Sequence, residues 1–119
     1  MPVLTHQTIF QRCRQGGLLL VTLCAAAMTP LAALAAPVTH TVTIEAMQFS
    51  PRVLEIRAGD TVEWVNKDPF PHDAASSVSQ FKSSVMAPNA RWKFVARQKG
   101  TFSYGCTLHP MMQASVIVK

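Results

Sequence analysis

Apolar side chains recur at every second position along most of the chain after residue 39. The segment Arg91–Ala96 is the clearest case, because Trp92, Phe94 and Ala96 fall on one face of an extended strand. A spacing of two is typical of a half-buried β-strand, and this part of the chain has no segment with the 3.6-residue spacing of an amphipathic helix. Turn residues such as Gly100 separate the alternating segments. The chain is therefore predicted to form a small, single all-β domain, either a β-sandwich or a barrel.

The alternating segments predict strands on both sides of one long irregular region. That region runs from Lys67 to Asn89 and contains three prolines and a serine cluster, with a short strand expected at Val78–Phe81. Phe49-Ser50-Pro51 is expected to break the chain after the first strand. The other predicted strands are His40–Ala46, Val53–Ile56, Thr61–Asn66, Arg91–Ala96, Thr101–Cys106 and Gln113–Val118.

The N-terminal residues have the composition of a secretory signal peptide. They begin with a segment that contains Arg12 and Arg14 but no acidic residue, continue with a long apolar stretch, and end in Ala33-Leu34-Ala35. This succession predicts a signal peptide over residues 1–35 that is cleaved after Ala35, and a mature domain of residues 36–119 in the periplasm. A retained membrane anchor is the alternative, since the apolar stretch is just long enough to span a bilayer. The alanine-rich end of the stretch favours cleavage.

Cleavage would remove Cys13 and Cys24 and leave Cys106 as the only cysteine of the mature domain. That domain would then lie in an oxidising compartment without an internal disulfide. A lone cysteine in such a compartment is buried, reactive or bound to a metal. A small domain also buries a modest share of its surface, so a bound metal would add to its stability.

The basic residues of the mature domain are scattered along the sequence. Removing residues 1–35 takes away two arginines and lowers the formal net charge from +5 to about +3. No run of Lys and Arg remains that could follow a phosphate backbone, which argues against a nucleic-acid partner. A mildly positive surface is compatible with docking to an acidic protein.

Soft metal-ligand side chains are concentrated near the C-terminus. Cys106 ends a predicted strand, His109 follows after two residues and Met112 after two more, and Pro110 stiffens the segment between them. His72 follows the strand that ends at Asn66, and loops at one end of a sandwich can meet. Two histidines, one cysteine and a weak methionine form the trigonal site that suits copper in both oxidation states. Structural zinc would more often show paired cysteines.

Each of these residues also has a simpler interpretation. His72 could be a solvent-exposed histidine in a proline-rich loop. Cys106 could be a small buried hydrophobic residue, and the two methionines could serve only packing. Cys106 and His109 could also form a nucleophile and its base, although no Asn or Asp obviously orients His109. A purely structural β-sandwich is the remaining alternative.

Several segments taken together resemble a known family. Residues 38–119 are similar to a cupredoxin of the plastocyanin and amicyanin type, which implies a Greek-key β-sandwich. The short Cys-x-x-His-x-x-Met loop resembles that of amicyanin more than the longer loop of plastocyanin. The residues that carry the resemblance are Phe49-Ser50-Pro51, Ala58-Gly59-Asp60-Thr61-Val62, Trp64, Asn66, Pro71-His72 and Gly100–Met112.

The resemblance implies a blue copper protein that carries single electrons and is not an enzyme. It implies one copper ion, with His72, Cys106 and His109 as equatorial ligands and Met112 as a weak axial ligand. It also implies a monomer, free of the membrane after cleavage, whose redox partners dock on an apolar surface around His109. The residues expected on that surface are Phe70, Pro71, Pro110 and Met111, and Met111 stands where the family often has an aromatic residue.

Two residues depart from the family pattern. Asp73 stands where the family often has Asn, Thr or Ser, and a carboxylate that pointed inward would lower the copper potential. Ala114 stands at a usual glycine position and would be strained if the backbone there needed a positive φ. The alternative function is a copper-binding module for periplasmic copper handling, storage or resistance, with the same four ligands and no electron-transfer partner. Extra clusters of methionine and histidine would favour that alternative.

Overall fold

The computed structural model describes residues 29–78 and 81–119, and most of the predicted signal peptide lies outside the described residues. Residues Leu34–Lys119 form one compact unit. Across the described ranges, no helix has the length and apolar character needed to cross a membrane. The strands are β1 (Thr39–Glu45), β2 (Gln48–Ser50), β3 (Val53–Ile56), β4 (Thr61–Asn66), β5 (Ala75–Ser76), β6 (Arg91–Val95), β7 (Gly100–Gly105) and β8 (Gln113–Val118).

The strands form two four-stranded sheets that face each other across one core. The first sheet has the order β2-β1-β4-β6 and the second has the order β3-β8-β7-β5. β1 pairs with β4 in parallel, and β3 pairs with β8 in parallel, while the remaining neighbours are antiparallel. Neighbours that are distant in sequence show that the chain crosses repeatedly between the sheets. The predicted all-β sandwich is confirmed.

Aromatic rings fill the centre of the sandwich. Trp64 of β4 is fully buried and contacts Tyr104 edge-on, with 5.5 Å between ring centroids. Phe81 and Trp92 lie against Trp64 at 5.3 and 5.4 Å. Rings of this size bury large apolar areas and account for much of the stability of a small domain. Burial also raises the pKa of Tyr104 to about 12.

The first strand ends earlier than the sequence predicts. The predicted strand ran to Ala46, but Ala46 is exposed and forms a tight turn with Met47, with φ values of 50° and 58°. The Asp68 carboxylate accepts hydrogen bonds from both of their N–H groups, at 2.7 and 2.9 Å. These bonds stabilise a backbone conformation with positive φ, which residues other than glycine seldom adopt. The chain therefore turns back into β2, where the sequence predicted a break at Phe49-Ser50-Pro51.

The irregular region contains a strand earlier than expected. β5 comprises Ala75–Ser76 and pairs with β7, whereas the expected strand was Val78–Phe81. The Ser76 N–H bonds to the Phe81 carbonyl at 2.9 Å, so the chain turns between these residues. Positions 79 and 80 lie outside the described residues.

Candidate metal centre

His72 is completely buried at one end of the sandwich. Its N–H and carbonyl exchange hydrogen bonds with the backbone of Met86, at 3.1 and 2.7 Å. The backbone of the loop after β4 is thus fixed at His72 itself. The interpretation of His72 as a solvent-exposed histidine is wrong.

The Asn66 side chain holds the loop that leads to His72. Asn66 is fully buried at the end of β4, and its amide group donates to the carbonyls of Phe70 at 2.8 Å and Met86 at 2.9 Å. Its side-chain oxygen accepts the Asp68 N–H at 3.0 Å. All the polar atoms of the side chain are therefore used, which is the arrangement a buried amide requires.

Asp68 orients the imidazole of His72. One Asp68 oxygen lies 2.8 Å from His72 Nε2, and both groups are buried. Burial opposes ionisation of Asp68, but the hydrogen bonds from Met47, His72 and Ala46 outweigh it and hold the pKa of Asp68 below its usual value. An ionised carboxylate can only accept, so Nε2 carries the proton and Nδ1 presents its lone pair. This lone pair is the one required of a metal ligand.

The C-terminal ligand loop is closed by its own backbone. The Cys106 N–H bonds to the Met112 carbonyl at 3.2 Å, and the Met112 N–H bonds to the His109 carbonyl at 2.9 Å. Cys106 and Met112 are each 3% exposed. The preceding residue must be small, because a Cβ on Gly105 would lie 2.7 Å from the Met112 carbonyl oxygen. The spacing of Cys106, His109 and Met112 therefore produces one tight loop.

Three donor atoms converge between the two loops. Cys106 Sγ lies 3.8 Å from His72 Nδ1 and 3.6 Å from His109 Nδ1, and all three ligand atoms lie within 4.8 Å of one another. Metal–nitrogen and metal–sulfur bonds of about 2.0 and 2.3 Å, at roughly 120°, would place the nitrogen and sulfur about 3.7 Å apart. The two sulfur–nitrogen separations fit a single ion in a trigonal site.

The two methionines of the loop differ sharply in burial. Met112 is buried in the core cluster with Cys106, whereas Met111 is 95% exposed. Of the two, Met112 is the one enclosed with Cys106 in the core. The difference supports separate roles for the two thioethers.

Asp73 joins the two ligand loops instead of pointing at the sulfur. Its carboxylate accepts the Thr107 N–H at 2.6 Å and a short hydrogen bond from the Thr107 hydroxyl. Its own N–H lies 3.5 Å from Cys106 Sγ, in position to donate to a thiolate. Asp73 is buried, so its negative charge lies close to the centre. The carboxylate acts both as a clamp between the loops and as a local charge.

Ala114 carries none of the strain that its glycine-like position suggested. It lies within β8, in extended backbone, and pairs with Tyr104 of β7. No positive φ is required at this position.

Sequence reasoning missed the residues that support the ligands. Asp68 is one of these residues. It precedes His72 by four residues, but in an irregular loop this spacing does not predict which side chains come together. Asn66 and Thr107 were likewise given no role in holding the loops. A polar residue at the end of a buried strand, such as Asn66, was the one available signal.

The two-sheet fold and the cluster of soft donor atoms together define the class of the protein as a metal-binding β-sandwich. The sequence model of the family described as "Cupredoxin-like domain" matches residues 17–118, so the chain belongs to the cupredoxin family. The predicted family resemblance is confirmed, and family membership together with the donor set confirms the prediction of a copper cofactor.

Individual relatives narrow the type of cupredoxin. Amicyanin from Paracoccus versutus is 32% identical over 96 residues, a match that covers 76% of this chain and 73% of that protein. A solved structure of a methionine-to-alanine mutant of amicyanin in its Cu(I) form has a TM-score of 0.64 and 28% identity, covering 74% of this chain and 88% of that one. The Cu-containing nitrite reductase (NirK) from Thermus scotoductus SA-01 has a TM-score of 0.64 and 31% identity, but only 23% of that chain is covered. The chain is thus an amicyanin-type cupredoxin.

Proposed function

We propose that this protein is a type 1 copper protein that carries single electrons between redox partners in the periplasm. The ligands are His72, Cys106, His109 and Met112. The convergence of three donor atoms within 4.8 Å, on two loops that are each fixed by hydrogen bonds, is the observation that carries the proposal.

The protein contributes rigidity, and the bound copper would supply a one-electron couple. Asp68 fixes the orientation of the His72 ring, and Asp73 fixes the position of the Cys106 loop through Thr107. Because hydrogen bonds define these positions before a metal arrives, the ligands need move little when the charge of the ion changes. A small rearrangement favours fast electron transfer.

The surroundings of the site support a carrier over an enzyme. Among the described residues, His72, Cys106 and His109 form the one group of three or more His, Cys, Asp or Glu side chains placed to hold a metal. His72 and Cys106 are buried, while His109 is partly exposed. The partly exposed imidazole of His109 offers an electron a path to the surface.

Partners dock on the apolar surface around His109. Phe70 is 55% exposed and Met111 is 95% exposed, and Pro71 and Pro110 are exposed beside them. An exposed apolar patch of this kind suits short-lived association between proteins. The protein acts as a monomer after removal of residues 1–35, and the functional domain is residues 36–119.

Electron self-exchange tests this proposal without knowledge of the natural partner. Mixtures of the Cu(I) and Cu(II) protein exchange electrons when two patches meet, and NMR line broadening measures the rate. Met111→Lys should slow self-exchange by about tenfold or more, because two like charges would face each other in the encounter. Met111→Leu, which keeps the apolar surface, should exchange at the parental rate. Equal rates for the lysine and leucine variants would contradict docking at this surface.

A further inference from the structure

A groove lies beside the metal centre and is shaped by two distant parts of the sequence. It has a volume of about 650 Å³ and opens on one side of His109. The turn between β1 and β2 contributes Met47, and the C-terminal ligand loop contributes Met111 and Met112. The other lining residues are Ala46, Gln48, Phe49, Arg52, Leu108, Pro110 and Gln113.

The groove presents soft donors at increasing depth. Met111 is 95% exposed, Met47 is 38% exposed, His109 is partly buried and Met112 is 3% exposed. Three thioethers and one imidazole therefore line one groove, from the exposed Met111 to the buried Met112. This grouping is invisible in the sequence, where Met47 stands far from the C-terminal loop.

The position of Met47 is fixed by the same carboxylate that orients a copper ligand. Asp68 accepts the Met47 N–H at 2.9 Å and lies 2.8 Å from His72 Nε2. The turn that carries Met47 is thereby attached to the metal centre. A methionine whose backbone is held in this way presents its thioether at a defined place, although its side chain keeps its flexibility.

The chemistry of the lining selects a soft, singly charged ion. No carboxylate lines the groove, and the side-chain oxygens of Gln48 and Gln113 carry no charge, so the lining is a poor match for the hard divalent cations that prefer carboxylates. Thioethers and imidazole suit Cu(I). Arg52 also lines the groove, and its repulsion of a monovalent ion is half that of a divalent ion at the same distance.

We propose that this groove is an uptake site for Cu(I), in which Met47 and Met111 receive the ion together with His109 and pass it inward to the ligand cluster. The proposal rests on the copper-binding function proposed above. Copper remains Cu(I) throughout, so no oxidant or reductant is required. The ligands of the donor complex leave as thioether sulfurs take their place, and the Cys106 thiol releases its proton to solvent when its sulfur binds the ion.

Anaerobic stopped-flow transfer of Cu(I) tests the proposal. Purified protein stripped of copper is mixed with the Cu(I)–bicinchoninate complex, and the loss of the colour of that complex gives the rate of uptake. The double variant Met47→Leu with Met111→Leu should take up Cu(I) about tenfold more slowly, as expected when a favourable contact is lost on the path to the transition state. Leucine keeps the apolar surface, so folding and partner docking should be preserved.

Two controls separate sulfur chemistry from the shape of the groove. Leu108→Ala removes apolar surface from the same groove but no sulfur, and it should take up Cu(I) at the parental rate. Uptake of Cu(II) from a weak buffer complex should be the same in the double variant and the parent. Parental Cu(I) uptake by the double variant, or an equal slowing of Cu(I) and Cu(II), would overturn the proposal.

A second measurement follows Met47 and Met111 directly, with both methionines left unchanged. Ag(I) serves as a redox-inert substitute for Cu(I), and the methionine methyl groups are labelled with ¹³C. In protein whose Cys106 is replaced by Ser, the methyl signals of Met47 and Met111 should shift on addition of Ag(I). Unshifted signals at both would refute the uptake site. Failure of the copper-loaded parent to turn blue on oxidation would instead refute the proposed function, so the two failures are distinguishable.

Discussion

Replacing Asn66 with alanine should destabilise the loop that carries His72 more than a substitution of any exposed residue nearby. Asn66→Ala removes three hydrogen bonds. The bond donated to the Met86 carbonyl and the bond accepted from the Asp68 N–H are buried, and the bond donated to the Phe70 carbonyl is partly buried. Each buried partner left unsatisfied costs about 1–3 kcal/mol. Partial relaxation of the loop makes a total of about 3–6 kcal/mol the expected loss.

This loss is large against the stability of a domain of this size. A folded unit from Leu34 to Lys119 has an unfolding free energy of roughly 4–12 kcal/mol by the usual value per residue. Asn66→Ala should therefore remove about half of it and lower the melting temperature of the apo-protein by roughly 12 °C or more. Copper should restore part of the stability, since it binds only the folded state.

Urea unfolding of the apo-protein, followed by tryptophan fluorescence, measures the effect. Asn66→Asp is a matched variant, because it keeps the shape and the acceptor oxygen but sets a carboxylate against two carbonyl oxygens. It should be destabilised at least as much as Asn66→Ala at neutral pH. A loss below about 1 kcal/mol in Asn66→Ala would show that the three bonds do not hold the loop.

Three further changes probe other parts of the structure. Asp73→Asn removes a buried negative charge near the centre and should raise the copper potential by on the order of 50 mV, the equivalent of about 1 kcal/mol for one electron. Voltammetry measures this, and an unchanged or lower potential would contradict the role of the charge. Met112→Ala should lower the stability of the apo-protein by about 2–4 kcal/mol, because it leaves a cavity. This variant should still bind copper, with a shifted potential. Met111→Ala should change the stability by less than about 0.5 kcal/mol. Urea unfolding and voltammetry check both, and a reversal between the two methionines would show that the assignment is wrong. The pKa of Asp60 is lowered to about 2 by the Val38 N–H, His40 and the Arg57 N–H, so its ionised form stabilises the fold above the unfolded pKa of about 4. This stabilisation should disappear as the pH falls from about 4 to 2, and Asp60→Asn should reduce the dependence of unfolding free energy on pH in that range; an unchanged slope would contradict it.

Local patterns were sufficient for the sandwich and for one half of the site. Alternation placed Trp92, Phe94 and Ala96 on the face that packs in or against the core, without knowledge of which strands pair, because a strand must bury one face. Cys106, His109 and Met112 lie in one loop, so their spacing already restricts where their side chains can meet. His72 was a candidate only because loops at one end of a sandwich can meet, since nothing in its own loop brings it to Cys106.

Features that depend on tertiary contacts were not predictable from spacing. The turn at Ala46 and Met47 forms because Asp68, a residue of a different loop, supplies two hydrogen bonds. The direction of Asp73 depends on Thr107, which the fold brings opposite it. The joining of Met47 with Met111 in one groove has the same origin, since it follows from the arrangement of strands and not from either segment alone.

The visible and EPR spectra of the Cu(II) protein test the central claim most directly. The Cu(II) protein should have an intense blue colour, which arises from a copper–thiolate bond, and a small copper hyperfine splitting. Both are expected if the ion is bound by Cys106, His72 and His109. Cys106→Ser should abolish the colour while the protein remains folded. A nearly colourless Cu(II) protein with an ordinary hyperfine splitting, or a blue Cys106→Ser variant, would contradict the assignment of this site.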